Sequence, residues 1–204
     1  MIRKSGRLHA KGLQTIFRAK TGEIVQKELS KSHSKHVNVI PLIVDSIIWK
    51  IKEQLSKGVS VRLRGLGCLA VINKKAREGA RNPKTLEPLS VKEHTTVKLR
   101  KSRISPDAPE FSMQNMIETL TASYPEVPDK TLRKIYYSFV EVINSCKDGK
   151  SRIEYRELGT FTPSYIPAQN KRNPKTGDTV FIEEHHSLLF SCSKVLHKEL
   201  NKQK

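Results

Sequence analysis

The sequence predicts an α+β protein made of one unit used twice, and three observations carry that prediction. A cationic pentapeptide occurs as Arg81-Asn82-Pro83-Lys84-Thr85 and again as Arg172-Asn173-Pro174-Lys175-Thr176, 91 residues apart. Each follows a glycine inside an apolar strand signal, Leu66-Gly67-Cys68-Leu69 or Leu158-Gly159-Thr160-Phe161. From that glycine to the arginine is 14 residues in the first copy and 13 in the second. The order of elements upstream also recurs: helix, helix, then strands. A repeated motif with a repeated landmark at nearly constant distance marks an internal repeat.

Taken in order, Thr21 to about Lys31 reads as a short helix supported by Ile24, Val25 and Leu29. Asn38 is placed to cap a second helix, and Pro41 then falls in the first turn, where a missing N–H costs nothing. That helix carries Ile40, Val44, Ile47, Ile48, Ile51 and Leu55 on one 3.6-residue face. Trp49 lies beside the face and reads as a packing residue rather than a base platform. Lys57-Gly58 ends the helix. Val59 to Val71 alternates as strands around a turn at Gly65-Leu66-Gly67, and Asn73 to Val91 forms a projecting arm. Thr95 to Ile104 returns as a strand, with Val97 and Leu99 on one side and Lys98 and Arg100 on the other. Ser105-Pro106-Asp107-Ala108-Pro109 blocks a further helix and reads as a linker.

In the second unit Ser112 caps a helix with Met113, Met116, Ile117 and Leu120 at helical spacing. Asp129 opens a longer helix whose apolar face holds Leu132, Ile135, Tyr136, Phe139, Val142, Ile143 and Cys146. Strands through Ile153, Tyr155, Leu158 and Phe161 lead to a second arm, about Pro163 to Glu184. A final helix from about Ser193 carries Val195, Leu196 and Leu200; the first unit shows no counterpart of it.

The pentapeptide has a readable chemistry. Proline fixes φ and donates no hydrogen bond, and Asn-Pro with polar residues after it favours a turn. In the second copy Gly177 permits a positive φ at the reversal. The product is a tight cationic hairpin tip with a stiff apolar ring at its apex. Such a tip fits between base steps of a minor groove while its charges hold phosphates. One turn of this composition is ordinary on a surface; two in the same context are not. The candidate DNA contacts are Lys74, Lys75, Arg77, Arg81, Asn82, Pro83 and Lys84 in the first arm, and Lys171, Arg172, Asn173, Pro174 and Lys175 in the second.

Gly159-Thr160-Phe161, followed at this distance by Arg172 to Gly177, resembles the histone-like HU/IHF family. Leu189 to Lys198 resembles that family's final strand and helix. The likeness covers about residues 21–104 and again 110–200. The first copy departs from it in two places: Leu86 stands where the family tip has glycine, and Ala80 is one extra residue in the arm. Members of the family are minor-groove architectural proteins that bend DNA, and each is an assembly of two chains in which neither half is complete. The resemblance therefore implies a DNA-bending protein that supplies both halves covalently.

Composition agrees. Lys and Arg number 38 against 20 Asp and Glu, a formal net charge of +18, which points to a polyanionic partner. The charge is lopsided: residues 1–104 hold 24 basic and 7 acidic side chains, and the remainder hold 14 and 13. Residues 1–20 contain six of the cations and no acid, and read as a basic tail that adds phosphate contacts. An organelle-targeting presequence is the rival reading, being equally acid-poor, but serine is scarce. Cys68, Cys146 and Cys192 are far apart and form no C-x-x-C pair, which suits a reducing compartment. His33-x-x-His36 and His185-His186 lack partners at zinc spacing, so no metal and no cofactor is expected. No catalytic constellation, phosphate loop or dinucleotide fingerprint is visible, which argues against an enzyme. No apolar run is long enough to span a membrane, and the start of the chain lacks the apolar stretch of a secretory signal.

The expected organisation is a basic tail at 1–20, a first HU/IHF-like repeat at 21–104, a linker at 105–110 and a second repeat at 111–204. What remains of each unit outside its arm is small for an independent core. The copies are therefore expected to pair within one chain, as a pseudo-dimer, rather than between two chains. The expected function is architectural: binding, bending and compacting double-stranded DNA through two proline-tipped arms, with weak sequence specificity, inside a cell, on a bacterial nucleoid or a viral or phage genome. Two rivals are an RNA-binding or ribosome-associated basic protein and a protein–protein dimerisation module. With aromatics at 6% and no stacking ladder among them, single-strand readout is disfavoured. The charge of the first half disfavours the dimerisation module.

Overall fold

Seven apolar side chains of one helix, Ile40, Ile43, Val44, Ile47, Ile48, Ile51 and Leu55, are all buried, and all belong to one apolar core. The computed structural model describes residues 13–30, 34–81, 85, 87–101 and 109–202. The chain runs through β1 (Gln14–Phe17), α1 (Arg18–Leu29), a 3-10 turn (Ser34–Val39) and α2 (Ile40–Ser56). Then come β2 (Ser60–Leu63), β3 (Gly67–Lys74), β4 (Arg77–Arg81), β5 (Pro88–Val91) and β6 (His94–Arg100). The second unit repeats the plan with β7 (Glu110–Phe111), α3 (Met113–Ser123), α4 (Asp129–Ser145), β8 (Ser151–Tyr155) and β9 (Gly159–Ile166). It ends with β10 (Gln169–Arg172), β11 (Thr179–Ile182), β12 (His185–Cys192) and α5 (Lys194–Lys202).

Two four-stranded sheets result, ordered β6-β3-β2-β7 and β12-β9-β8-β1. The outer strand of each comes from the other unit. β1, which leads into the first unit's helices, pairs parallel with β8 of the second. β7, which leads into the second unit's helices, pairs parallel with β2 of the first. The core is correspondingly shared: residues of α1, α2, α3, α4 and both sheets belong to one buried apolar cluster. Phe139, Tyr155, Phe161 and Phe190 run through it, with successive ring centroids 6.3, 6.3 and 4.9 Å apart. Gly22 lets α1 come close to α2, since a Cβ there would lie 3.2 Å from Pro41.

The structure moves three sequence assignments. The basic tail does not extend to residue 20, because Gln14–Phe17 form a parallel ladder and Arg18 opens a helix. Asn38 is not the cap of α2: it lies in the 3-10 turn, and Val39 at the cap position supplies no side-chain acceptor. Trp49 is not packed, being 58% exposed. It borders a cleft of about 330 Å³ together with Phe17 of β1. The inter-repeat linker lies mostly outside the described residues, but its end, Glu110, is in β7. Ser112, by contrast, caps α3 as its sequence predicts, in a reciprocal box with Asn115. Ser193 caps α5, accepting from the Leu196 amide at 3.1 Å.

The two glycine landmarks have one cause. Gly67 and Gly159 sit at φ 140 and 150°, where their strands start against the carbonyls of β6 and β12. A Cβ on Gly67 would lie 2.5 Å from the Arg100 carbonyl oxygen, and one on Gly159 would strike that of Ser191. Strain and clash add here. Gly159→Ala should cost about 2 kcal/mol or more in urea denaturation. Gly58→Ala, also at positive φ but with open space around it, should cost only about 1 kcal/mol. Equal midpoints for the two variants would show that the close approach is not what the landmark serves.

Candidate nucleic-acid interface

Each arm is a continuation of its sheet. In the second unit β9 pairs with β12 from Gly159↔Cys192 out to Ile166↔His185. The same register carries on through Gln169↔Ile182 to Arg172↔Thr179 in the arm ribbon, β10–β11. In the first unit the β3–β6 register reaches Lys74↔His94 and continues to Arg77↔Val91 in β4–β5. A bulge between Arg77 and Ala80 then takes up one extra residue on β4, and Gly79 there has φ 78°. Beyond the bulge Arg81 faces Pro88. Arg172 and Thr179 hold the same place in the second copy, with six residues enclosed in each case. The extra residue that the sequence locates at Ala80 is thus absorbed below the tip, and both tips have the same register.

The second tip is tied from within. The Asn173 amide donates to the Asp178 carbonyl and the Gly177 amide to that of Asn173, both at 2.8 Å. The Asn173 side chain accepts from the Lys175 amide at 3.0 Å, an Asx turn that leaves Pro174 exposed at the apex. Gly177 has φ 80°, as its place after the turn requires. Arg172 folds along the tip, its Nε donating to the Gly177 carbonyl at 2.9 Å. So Asn173 holds the turn, whereas Lys171, Arg172, Pro174 and Lys175 are presented to solvent. In the first arm Lys74, Lys75, Arg77 and Arg81 are all exposed. Asn82, Pro83 and Lys84 lie outside the described residues.

The arms differ in charge. Residues 73–94 carry six cations and three carboxylates, whereas residues 163–186 carry three of each. The difference extends into the sheets. Lys98 and Arg100 are exposed on β6, alternating with the buried or half-buried Val97 and Leu99. At the corresponding places on β12 are Leu189 and Ser191. These two β6 cations are not among the candidates that the arm motifs single out, although strand alternation turns them outward. Nothing here resembles a nucleophile site. Burial pushes the thiols of Cys68 and Cys192 up to about 11 and raises that of Cys146, so they are protonated at neutral pH. Among the described residues no three His, Cys, Asp or Glu side chains converge to hold a metal, and no helix is long and apolar enough to cross a membrane.

With the repeated arms in view, comparison with known proteins is decisive. The family described as bacterial DNA-binding protein matches residues 20–104 and, separately, 112–201. The chain belongs to that family. It is a tandem HU/IHF-like protein, with two family units in one polypeptide. One curated relative is integration host factor subunit beta of Pseudoalteromonas translucida (strain TAC 125), 32% identical over 91 residues, spanning 45% of this chain and 96% of the relative. Among solved structures, the chain is similar to the protein of an Anabaena HU–DNA cocrystal structure. That likeness is at 19% identity and a TM-score of 0.35, over 42% of this chain and 92% of that one. The relatives are therefore of about single-unit length.

The charge distribution sets an expectation for DNA binding. Replacing Lys74, Lys75, Arg77 and Arg81 by Gln should weaken duplex binding more per charge than replacing Lys171, Arg172 and Lys175. It should also flatten the log–log salt dependence by about 0.9 for each phosphate that is no longer neutralised. Titrations at several salt concentrations measure both, and equal losses per charge from the two arms would contradict the asymmetry.

Proposed function

We propose that this protein binds double-stranded DNA with both arms at once and bends and compacts it, with weak sequence specificity. One observation carries the reading: two arms of matched tip register, Arg81↔Pro88 and Arg172↔Thr179, extend from the sheets of one shared core. Lys and Arg of the arms, with Lys98 and Arg100 of the first sheet, neutralise phosphates and release counterions. Pro174, exposed at its apex, and Pro83 in the matching sequence position wedge into base steps. Unstacking at two points kinks the duplex so that it meets more of the protein. Because phosphate contacts carry no sequence information, preference arises from how easily a site deforms. The setting that fits is intracellular, on a bacterial nucleoid or a viral or phage genome.

The double variant Pro83→Ala with Pro174→Ala should reduce bending more than it reduces affinity, since charge supplies most of the binding. Fluorescence transfer between the ends of a short duplex reports the bend; an unchanged end-to-end distance would remove the wedge from the mechanism.

We infer also that the pairing of copies is intramolecular. Tethering raises the effective concentration of one copy around the other to about millimolar. The nine residues from Ser102 to Glu110 reach about 30 Å when extended, enough to cross a small domain. Light scattering on the free protein should give a mass near the 23.2 kDa of one chain at micromolar concentration. A stable mass of twice that would mean that copies pair between chains.

A further inference from the structure

Phe181 is the most exposed large apolar side chain among the described residues, at 63%. It sits in β11 on the second arm, which has no apolar core to receive it. Its place on the ribbon is fixed. It stands directly opposite Asn170, and one step further along the same face Thr179 stands opposite Arg172. Val180 and Ile182, with Lys171 and Gln169, occupy the other face. The first arm has no equivalent: counting from the matched pairs at the tips, the position of Phe181 is Ser90, while Val180 corresponds to Leu89. The aromatic ring is thus a feature of the arm whose charges cancel.

The neighbours of the ring decide what it meets. On its own face it has the Asn170 amide opposite and the Arg172 guanidinium one step toward the tip, with Glu183 two residues further along the chain on the side away from the tip. The Arg172 Nε is held by the Gly177 carbonyl at 2.9 Å, which steadies the side chain along the tip and leaves its terminal nitrogens to meet an anion. An apolar protein surface laid on this face would desolvate Arg172 and Asn170 without partners, which is costly. A sugar–phosphate strand presents apolar deoxyribose faces to a ring and phosphate oxygens to the guanidinium and amide beside it. We propose that Phe181 is a direct DNA contact, its ring packed against deoxyribose in the groove entered by the second arm. The two arms then hold the duplex by different physics: the first by charge, the second by apolar contact that salt does not screen. This rests on the DNA-binding reading given above.

The test is Phe181→Ser, which gives the second arm the residue of the first, titrated against a short fluorescent duplex at several salt concentrations. Affinity should fall about tenfold at every salt, as expected for losing a desolvated aromatic anchor, while the log–log salt slope stays that of the parent protein, because every phosphate partner is still in place. Phe181→Leu should fall between the two. Thermal melting should change little, since the ring lies on an exposed ribbon outside the buried core. Affinity within twofold of the parent for Phe181→Ser would overturn the proposal and point to a protein partner for the ring. A weakening accompanied by a shallower salt slope would also overturn it, by showing that the substitution acts through Arg172. Failure of the parent protein itself to bind the duplex would instead remove the DNA-binding reading on which the proposal stands.

Discussion

The arms are only as well placed as the junction between the two units, and that junction is made by exchanged strands. Each unit sends the strand before its first helix onto the sheet of the other. The ladders are short, yet they carry Ile16 and Phe111 against the common core. Buried polar groups cross the same boundary. The Thr21 hydroxyl meets the Tyr155 phenol at 3.3 Å, and the Arg64 amide donates to the Tyr136 phenol at 3.3 Å. Burial pushes Tyr136 up to about 12 and also raises Tyr155. Both phenols are therefore neutral hydrogen-bonding groups that need a partner. Separating the units would uncover the core and exchange these hydrogen bonds for bonds to water, at a net cost of about 1 kcal/mol each.

A rigid junction matters because an isolated two-stranded ribbon is marginal in water. These ribbons hold a direction by being the outer ends of ladders rooted in the body. The second arm keeps one register from Gly159 to Arg172. The first shifts register once, at the bulge beside Gly79, and keeps the shifted register to Arg81↔Pro88. Bulges bend a strand and raise its local twist, and the second arm has no counterpart of this one in its register.

Much of this was legible in the sequence where a local rule and the tertiary demand coincide. The periodic faces of α2 and α4, the cap at Ser112, the turn glycine at 177 and the paired landmarks at Gly67 and Gly159 each have a local physical cause that no other part of the fold opposes. The misses fall where tertiary pairing alone decides. β1 is four residues, Gln-Thr-Ile-Phe, inside a basic stretch; nothing local marks it as a strand, and it exists because β8 offers an open edge. β7 is two residues after a proline. Asn38 has the right chemistry for a cap, but the chain arrives through a 3-10 turn that puts Val39 there. Trp49 has the right periodicity to flank a core, yet its side of α2 looks onto a cleft. In β6, alternation placed Lys98 and Arg100 correctly, while the place of Phe181 in the second arm required the cross-strand register.

The uneven charge of the two units serves their joining as well as any polyanion. Lys52 of α2 is held by Glu157 at 2.8 Å and Glu199 at 3.4 Å, both from the second unit, and the Glu157 hydrogen bond holds it above its ordinary value. Arg62 of β2 donates to Glu110 of the exchanged β7 at 2.7 Å. The second unit's last helix, α5, also packs on the first unit, where the Asn201 side chain both accepts from and donates to the Thr95 backbone, at 2.8 and 3.0 Å. That amide pairs with the outer edge of β6 as a strand would, blunting an edge that is open to other chains. The acids of the second unit are thus drawn toward interface cations of the first. Lys74, Lys75, Arg77, Arg81, Lys98 and Arg100, by contrast, form no salt bridge with any described residue. Cations inside the junction are neutralised by the chain itself, and those on the first arm and sheet are the ones that the proposed DNA contact uses. A charge count by halves merges these two populations, and only the fold separates them.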